Sequence, residues 1–169
     1  MKTSIVIWLA FTAFAIPLVV QPSPRFEDYK VAVYSGPIHP PKWINHVGSD
    51  EWRDYRGKLV EPPEVNFAGK YYVAAHSCGT ECRSYTLTDL SDGRELDLLT
   101  DFDAGDHQPK TRDGYTYITV LVTRANSRLL VAQYHVKLPG VEECRERAFV
   151  LDAGKIRPIT KTRRSCARN

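Results

Sequence analysis

Candidate catalytic and metal-binding residue types, namely histidine, cysteine and glutamate, occur together in the segment His76-Ser77-Cys78-Gly79-Thr80-Glu81-Cys82. A thiol beside a histidine suits nucleophilic catalysis, and two cysteines with histidines suit zinc. However, three residues separate the cysteines where thioredoxin-like sites have two, and zinc would need further ligands such as His76 and His107. A disulfide-closed turn requires only this spacing and an oxidising compartment, so we predict a Cys78–Cys82 disulfide.

A second candidate for chemistry is the acidic loop Asp101-Phe102-Asp103-Ala104-Gly105-Asp106-His107. Alternating carboxylates suggest calcium, but the twelfth position counted from Asp101 is Arg112, where an EF-hand needs glutamate. Carboxylates that could pair for glycoside hydrolysis, if the fold brought them together, are Glu81, Asp89, Asp101 and Asp103. The chain has no Gly-x-Ser-x-Gly elbow, phosphate loop or dinucleotide fingerprint. We therefore expect no cofactor and no bound metal.

Four cysteines allow three disulfide connectivities. We predict the local pairing, Cys78–Cys82 with Cys144–Cys166, because the second bridge would hold a C-terminal tail that has few other contacts. Such pairing requires an exported protein, and the N-terminus agrees with export.

The N-terminus has the features of a secretory leader. Lys2 precedes an apolar run, Ile5–Val20, that is short for a membrane span and contains Pro17. Residues 1–20 are thus predicted to be a signal peptide or an uncleaved N-terminal anchor helix. Either alternative places the domain in the periplasm or outside the cell, with the membrane contacted only through that segment.

The next segment, 21–48, contains five prolines and is predicted to be an extended lead-in, with an edge strand at Lys30–Tyr34. Ser49 could cap a helix on which Trp52, Tyr55 and Leu59 share one face. Pro62 and Pro63 would end that helix.

After Pro63 the apolar pattern changes to a period of two. Strands are predicted at 69–76, 84–90, 94–99, 115–124, 128–136, 147–152 and 155–159. Asp92-Gly93 and Ala153-Gly154 supply hairpin turns, and 115–124, apolar on both faces, is predicted to be central. The predicted fold is mainly β (α+β): an antiparallel meander of six or seven strands with one packed helix, forming a single domain over 49–169.

Charge excludes a strongly basic nucleic-acid-binding protein, because 23 basic residues oppose 20 acidic ones and the net charge is +3. The basic residues are concentrated in the tail, since 155–169 contains six and no acid. Such a tail could contact an acidic partner or the membrane surface, or pair with the domain itself.

One segment resembles a known group of proteins. Asn66-Phe67-Ala68-Gly69-Lys70-Tyr71, followed by Cys78-Gly79-Thr80-Glu81-Cys82, is similar to a family of small bacterial exported proteins with an Asn-Phe-Ala-Gly-His-Tyr strand and a Cys-Gly-Thr-x-Cys turn. Lys70 stands where the family usually has His. The resemblance covers roughly residues 50–100 and implies export and a β-rich domain, without implying catalysis.

We therefore expect a non-enzymatic binding module whose partner is another envelope or secreted protein, for instance a cell-envelope enzyme that it inhibits or to which it confers immunity. Loops on a rigid sheet often carry function. The predicted partner contacts are His76, Glu81, Arg83, Asp101, Asp103, Asp106 and His107. Two alternatives remain: a thiol or hydrolytic enzyme centred on the His76–Cys82 turn, and an envelope-associated structural or glycan-binding domain.

Overall fold

Three antiparallel sheets form the fold in the computed structural model, which describes residues 23–105 and 108–166. The small sheet contains β1 (Asn45–Val47), β2 (Glu51–Arg53) and β3 (Leu59–Val60); the middle sheet contains β4 (Tyr71–Gly79), β5 (Cys82–Asp89) and β6 (Arg94–Leu96). The third sheet contains β7 (Tyr117–Val122), β8 (Leu129–Leu138), β9 (Val141–Asp152) and β10 (Lys155–Pro158). Two short 3-10 helices lie at Phe26–Tyr29 and Thr100–Phe102. The mainly β class is confirmed.

The single meander is replaced by separate sheets, ordered β4-β5-β6 and β10-β9-β8-β7. Strand β7 was expected at the centre and instead lies at an edge of the third sheet. Its outer side is closed by the preceding loop, because the amide of Tyr117 donates to the carbonyl of Pro109 and Lys110 bridges Thr116. Apolar residues on both faces of β7 therefore do not indicate a central position.

The helix predicted from Ser49 is wrong. Residues 45–60 instead form the small sheet, in which Trp52 pairs with His46 on one side and Val60 on the other. Gly48 and Gly57 adopt φ values of +70° and +72° in its two turns, a left-handed conformation that ends any helix. The i, i+3, i+7 spacing of the apolar residues is compatible with a helix, but these glycine turns reverse the chain twice.

The main core lies between the middle and third sheets. Val73, Tyr85 and Leu87 from the middle sheet pack with Leu130 and Phe149 from the third. The same cluster is completed by Phe67, Leu99, Phe102, Ala132 and Leu151. The Tyr85 hydroxyl also donates to the carbonyl of Thr119 at 2.7 Å, so that a polar contact fixes how the sheets are aligned.

The Asn-Phe-Ala-Gly motif makes the turn that connects this core to the lead-in. Phe67 is fully buried, and Ala68 and Gly69 both adopt positive φ. A Cβ on Gly69 would meet the carbonyl oxygen of Ala32 at 2.4 Å, so only glycine fits. Every residue of the motif thus has a structural task.

The lead-in 23–44 is extended but forms no regular strand. The predicted edge strand at Lys30–Tyr34 is absent, although the amide of Val31 donates to Asn126 and that of Tyr34 donates to Gly69. Phe26 packs beneath the third sheet with Leu129 and Ala148. The lead-in is therefore part of the folded body.

Both predicted disulfides, Cys78–Cys82 and Cys144–Cys166, are present. They fit an oxidising, exported location. None of the helices in residues 23–105 and 108–166 has the length and apolar character to cross a bilayer. The predicted leader at 1–20 lies outside the described residues.

Loop length predicts how much each disulfide stabilises the domain. In the chain-entropy account, closing the longer Cys144–Cys166 loop stabilises by about 3 kcal/mol and closing the short Cys78–Cys82 loop by about 2 kcal/mol. We expect the double variant Cys144→Ser/Cys166→Ser to lose more unfolding free energy in urea titrations than Cys78→Ser/Cys82→Ser. The opposite order would show that strain or residual structure in the unfolded chain dominates.

Candidate functional site

His76, the first residue of the distinctive turn sequence, is at the centre of a buried hydrogen-bond network. Its Nδ1 lies 3.1 Å from Oδ2 of Asp54, and its Nε2 lies 2.9 Å from Oγ1 of Thr86. His76 is 3% exposed and Asp54 is 2% exposed. Because an ionised carboxylate can only accept, Nδ1 donates to Asp54, and Nε2 forms the second hydrogen bond of the ring with the Thr86 hydroxyl.

Asp54 is held by the turn between β2 and β3. Its Oδ1 accepts the amides of Arg56 and Lys58 at 2.8 and 2.9 Å, and Gly57 permits this tight turn. Burial raises the pKa of Asp54, but the hydrogen bonds from Lys58, His76 and Arg56 outweigh burial and hold the pKa below its usual 3.8. Asp54 is therefore an anion at neutral pH.

The strand register explains why His76 points to the small sheet. Residues 72, 74 and 76 of β4 share one face, opposite the face that enters the main core. Trp43 covers this face, stacked on Tyr72 and with its ring 4.7 Å from that of His76. The Tyr72 hydroxyl donates to the carbonyl of Glu61. Tyr72, Ala74 and Leu90 thus form a second, smaller core with Trp43, Ile44 and Val65, which flank the small sheet in the chain.

The order Thr86–His76–Asp54 has the connectivity of a hydroxyl–imidazole–carboxylate triad. A general base must reach its substrate, however, and both ring nitrogens of His76 are engaged inside the protein beneath Trp43. We therefore assign the network to positioning: it fastens the small sheet to β4. Cys78 and Cys82 are bonded to each other, so neither thiol is free to act as nucleophile or zinc ligand.

Two of the predicted partner contacts, Arg83 and Asp103, help to close the open edge of β5. The amide of Tyr85 donates to Oδ1 of Asp103 at 2.7 Å, and the amide of Ala104 donates to the carbonyl of Arg83 at 2.9 Å. Burial raises the pKa of Asp103, although the Tyr85 amide works against that shift. The loop from residue 100 to 105 thus substitutes for a neighbouring strand.

Glu81 adopts a φ of +63° in the disulfide-closed turn. Its Oε2 accepts a hydrogen bond from Nε2 of Gln108 at 3.1 Å. It also forms an ion pair with Lys137 of β8. The ion pair consequently joins the turn to the third sheet. Asp101 is exposed. Asp106 and His107 lie outside the described residues. The structure therefore brings Glu81, Arg83 and the 101–105 loop together, but removes His76 to the interior.

The small sheet carries a surface that the sequence analysis missed. Val47, Tyr55 and Leu59 are 46%, 64% and 61% exposed, and Val47 and Leu59 share one face. We call these three side chains the small-sheet surface. The sequence predicts Tyr55 and Leu59 on the packed face of a helix and Val47 in the lead-in. The signal that could have found this surface is the pair of glycines, Gly48 and Gly57, nine positions apart.

A groove separates the small sheet from β4. It has a volume of about 440 Å³, and its lining residues are Asp50, Glu51, Trp52, Leu59, Val60, Glu61, Pro62 and Ala75. Apolar side chains form much of its wall, while its charged side chains are all acidic. Leu59 belongs both to the groove and to the small-sheet surface, so the two are continuous.

The His76–Asp54 contact predicts a specific stability change. Asp54→Ala leaves the buried imidazole without its acceptor, and we expect unfolding free energy to fall by about 1–3 kcal/mol. Asp50→Ala, an exposed acid in the neighbouring turn, is the matched control and should change it by no more than about 0.5 kcal/mol. Urea titration measures both, and equal effects would contradict the anchoring role.

The pH dependence of the unfolding free energy should test the same Asp54–His76 contact. Because the pKa of folded Asp54 is depressed, its contribution is present above the unfolded pKa of about 3.9 and is lost as pH falls through the folded value. The stability difference between the wild type and Asp54→Asn should therefore shrink on titration from about pH 5 to about pH 2. A constant difference over that range would show that Asp54 does not titrate with folding.

Comparison of the chain with known proteins found no match among protein-family models, curated proteins or solved structures.

Proposed function

We propose that this protein is an exported, non-enzymatic module that binds another envelope or secreted protein through the small-sheet surface. The observation that carries the proposal is the strong exposure of three apolar side chains: Val47 and Leu59 on one face of the small sheet, and Tyr55 in the turn between β2 and β3. Clustered exposed apolar side chains mark interaction sites, because leaving them in water costs free energy that contact with a partner recovers.

The construction of the sheet supports this proposal. Trp52, Arg53 and Val60 of the small sheet are half-buried, and the other residues of its three strands are exposed. The buried Asp54–His76 contact holds it rigidly against β4. A rigid apolar surface loses little conformational entropy on binding, which favours affinity.

A protein is a better match than a small substrate for this surface. The groove of about 440 Å³ opens at the surface beside Leu59, and an exposed tyrosine stands in the adjacent turn. Tyrosine and tryptophan provide large contact areas in protein interfaces. An inhibitor or immunity-type role toward a cell-envelope enzyme is the form of binding that we propose, and periplasmic or secreted location is part of the proposal.

Site-specific photo-crosslinking in the producing cell tests this function. A photoreactive phenylalanine analogue at Tyr55 or Leu59 should cross-link to one discrete envelope or secreted protein, because these side chains would be covered in the complex. The matched control is the same analogue at Val120, which is 39% exposed on the edge strand β7. We expect no corresponding adduct from Val120.

The adduct must then be reproduced with purified components. The cross-linked protein, identified by mass spectrometry, should bind the wild type in calorimetry, and Leu59→Asp should weaken that binding at least about tenfold. Adducts of equal yield from Tyr55, Leu59 and Val120, or unchanged affinity for Leu59→Asp, would contradict the proposal.

A further inference from the structure

The outer edge of β4 has backbone groups that no described residue pairs. In an antiparallel ladder, alternate residues direct their N–H and C=O groups to the neighbouring strand and the others direct them outward. The Leu90 amide donates to the carbonyl of Lys70, so even-numbered residues of this strand face β5. Residues 71, 73, 75 and 77 therefore face the outer edge.

The first half of that edge is closed by the preceding segment of the chain. Tyr71 exchanges backbone hydrogen bonds with Phe67. Asn66 imitates a paired residue at the next position: its Nδ2 donates to the carbonyl of Val73 at 2.9 Å, and its Oδ1 accepts the amide of Val73 at 2.7 Å. Within residues 23–105 and 108–166, neither Ala75 nor Ser77 has a corresponding partner.

The unpaired stretch borders the groove described above. Ala75 is exposed and lines the groove together with Leu59 and Pro62. Asp50, Glu51 and Glu61 supply the charged residues of the lining, and of these Glu51 is paired with Arg53. Asp50 and Glu61 are thus available for a cation.

From these observations we propose that β4 extends its sheet by one strand from a partner protein, through backbone pairing at Ala75 and Ser77. The occupant is an extended segment carrying lysine or arginine, with an apolar side chain directed at Trp52 and Val60, which share one face of the small sheet and line the groove. Backbone hydrogen bonds would give the pairing, and the groove would select the side chains, as in other cases of strand addition. This inference rests on the proposed binding function and names the partner's chemistry.

The acidic lining decides in favour of a cationic strand. Desolvating acidic side chains against an apolar or acidic segment would be unfavourable, whereas lysine or arginine would pair with Asp50 and Glu61 at the groove rim. Since the groove is open to solvent, such pairs contribute modestly to affinity and more to selectivity. Binding should therefore weaken with salt.

A blocked five-residue peptide that alternates valine and threonine between two lysines is the probe. We expect it to shift the amide resonances of Ala75 and Ser77 in 15N-correlated spectra of the full domain and to protect both amides from hydrogen exchange. Methylating the peptide nitrogens that face β4 should abolish binding. Replacing the lysines by glutamates should weaken it at least about tenfold. Equal binding of all three peptides would overturn the proposal.

Variants of the protein locate the contact. Ala75→Pro removes the outward N–H without touching the ladder to β5, since proline is tolerated at strand edges, and should weaken binding about tenfold or more. Ala75→Ser keeps that N–H and is the matched control, with affinity close to that of the wild type. Should Ala75→Pro fail to fold, the methylated peptide on the wild type gives the same test.

The outcome is separable from that for the proposed function. If Ala75→Pro retains full affinity for the cross-linked partner while Leu59→Asp loses it, strand addition is wrong and the binding function stands. If the wild type instead forms a dimer that Ala75→Pro dissolves, the occupant is a second copy and the assignment of a foreign cationic strand is overturned.

Discussion

The hydrogen bond between buried His76 and Asp54 is the contact on which the candidate binding region depends. It joins the middle sheet to the β2–β3 turn across a boundary that no backbone ladder spans. The groove exists because the small sheet is held at a fixed distance from β4, and the exposed positions of Tyr55 and Leu59 follow from the same placement. The ring contact of Trp43 with His76 and the hydrogen bond from the Tyr72 hydroxyl to Glu61 add to the same attachment of the small sheet to β4. A polar contact is effective here because breaking it would leave two buried polar groups unsatisfied.

The protein closes its strand edges with side chains and loops. Asp103 and Ala104 close the outer edge of β5, Asn66 closes β4 at Val73, and the loop at Pro109 closes β7. Open edges invite pairing with other chains, so proteins usually block them. Against this background the unpaired groups of Ala75 and Ser77 stand out, because the same strand is blocked two residues earlier. Under the proposal of strand addition, such a short opening would limit non-specific pairing and leave space for one strand.

Local patterns predicted much of this fold, whereas long-range partners were not predictable from them. Period-two patterns and the turns at Asp92-Gly93 and Ala153-Gly154 located the large sheets, and cysteine spacing with export predicted both disulfides. The sequence singled out Glu81, Arg83 and the acidic loop separately, but it did not indicate that the backbone of Arg83 pairs with that loop at Ala104. It failed for His76, whose partner Asp54 lies 22 residues earlier in a segment mistaken for a helix. Neither residue carries a local signal for the other.

The separation of stability from recognition explains how the distinctive motifs are used. The Asn-Phe-Ala-Gly turn and the Cys-Gly-Thr-Glu-Cys turn look functional in the sequence, but Asn66 closes the edge of β4, Phe67 packs in the main core and the Cys78–Cys82 disulfide closes the turn from β4 to β5. That rigidity allows the small sheet to keep apolar side chains in water without collapsing onto the core. The proposed binding surface then need not be part of the distinctive motifs at all: it can lie on an appended sheet, provided that one buried contact fixes the sheet in place. In this protein that contact is made by a motif residue, His76, which under this proposal would act on recognition through position and not by touching the partner.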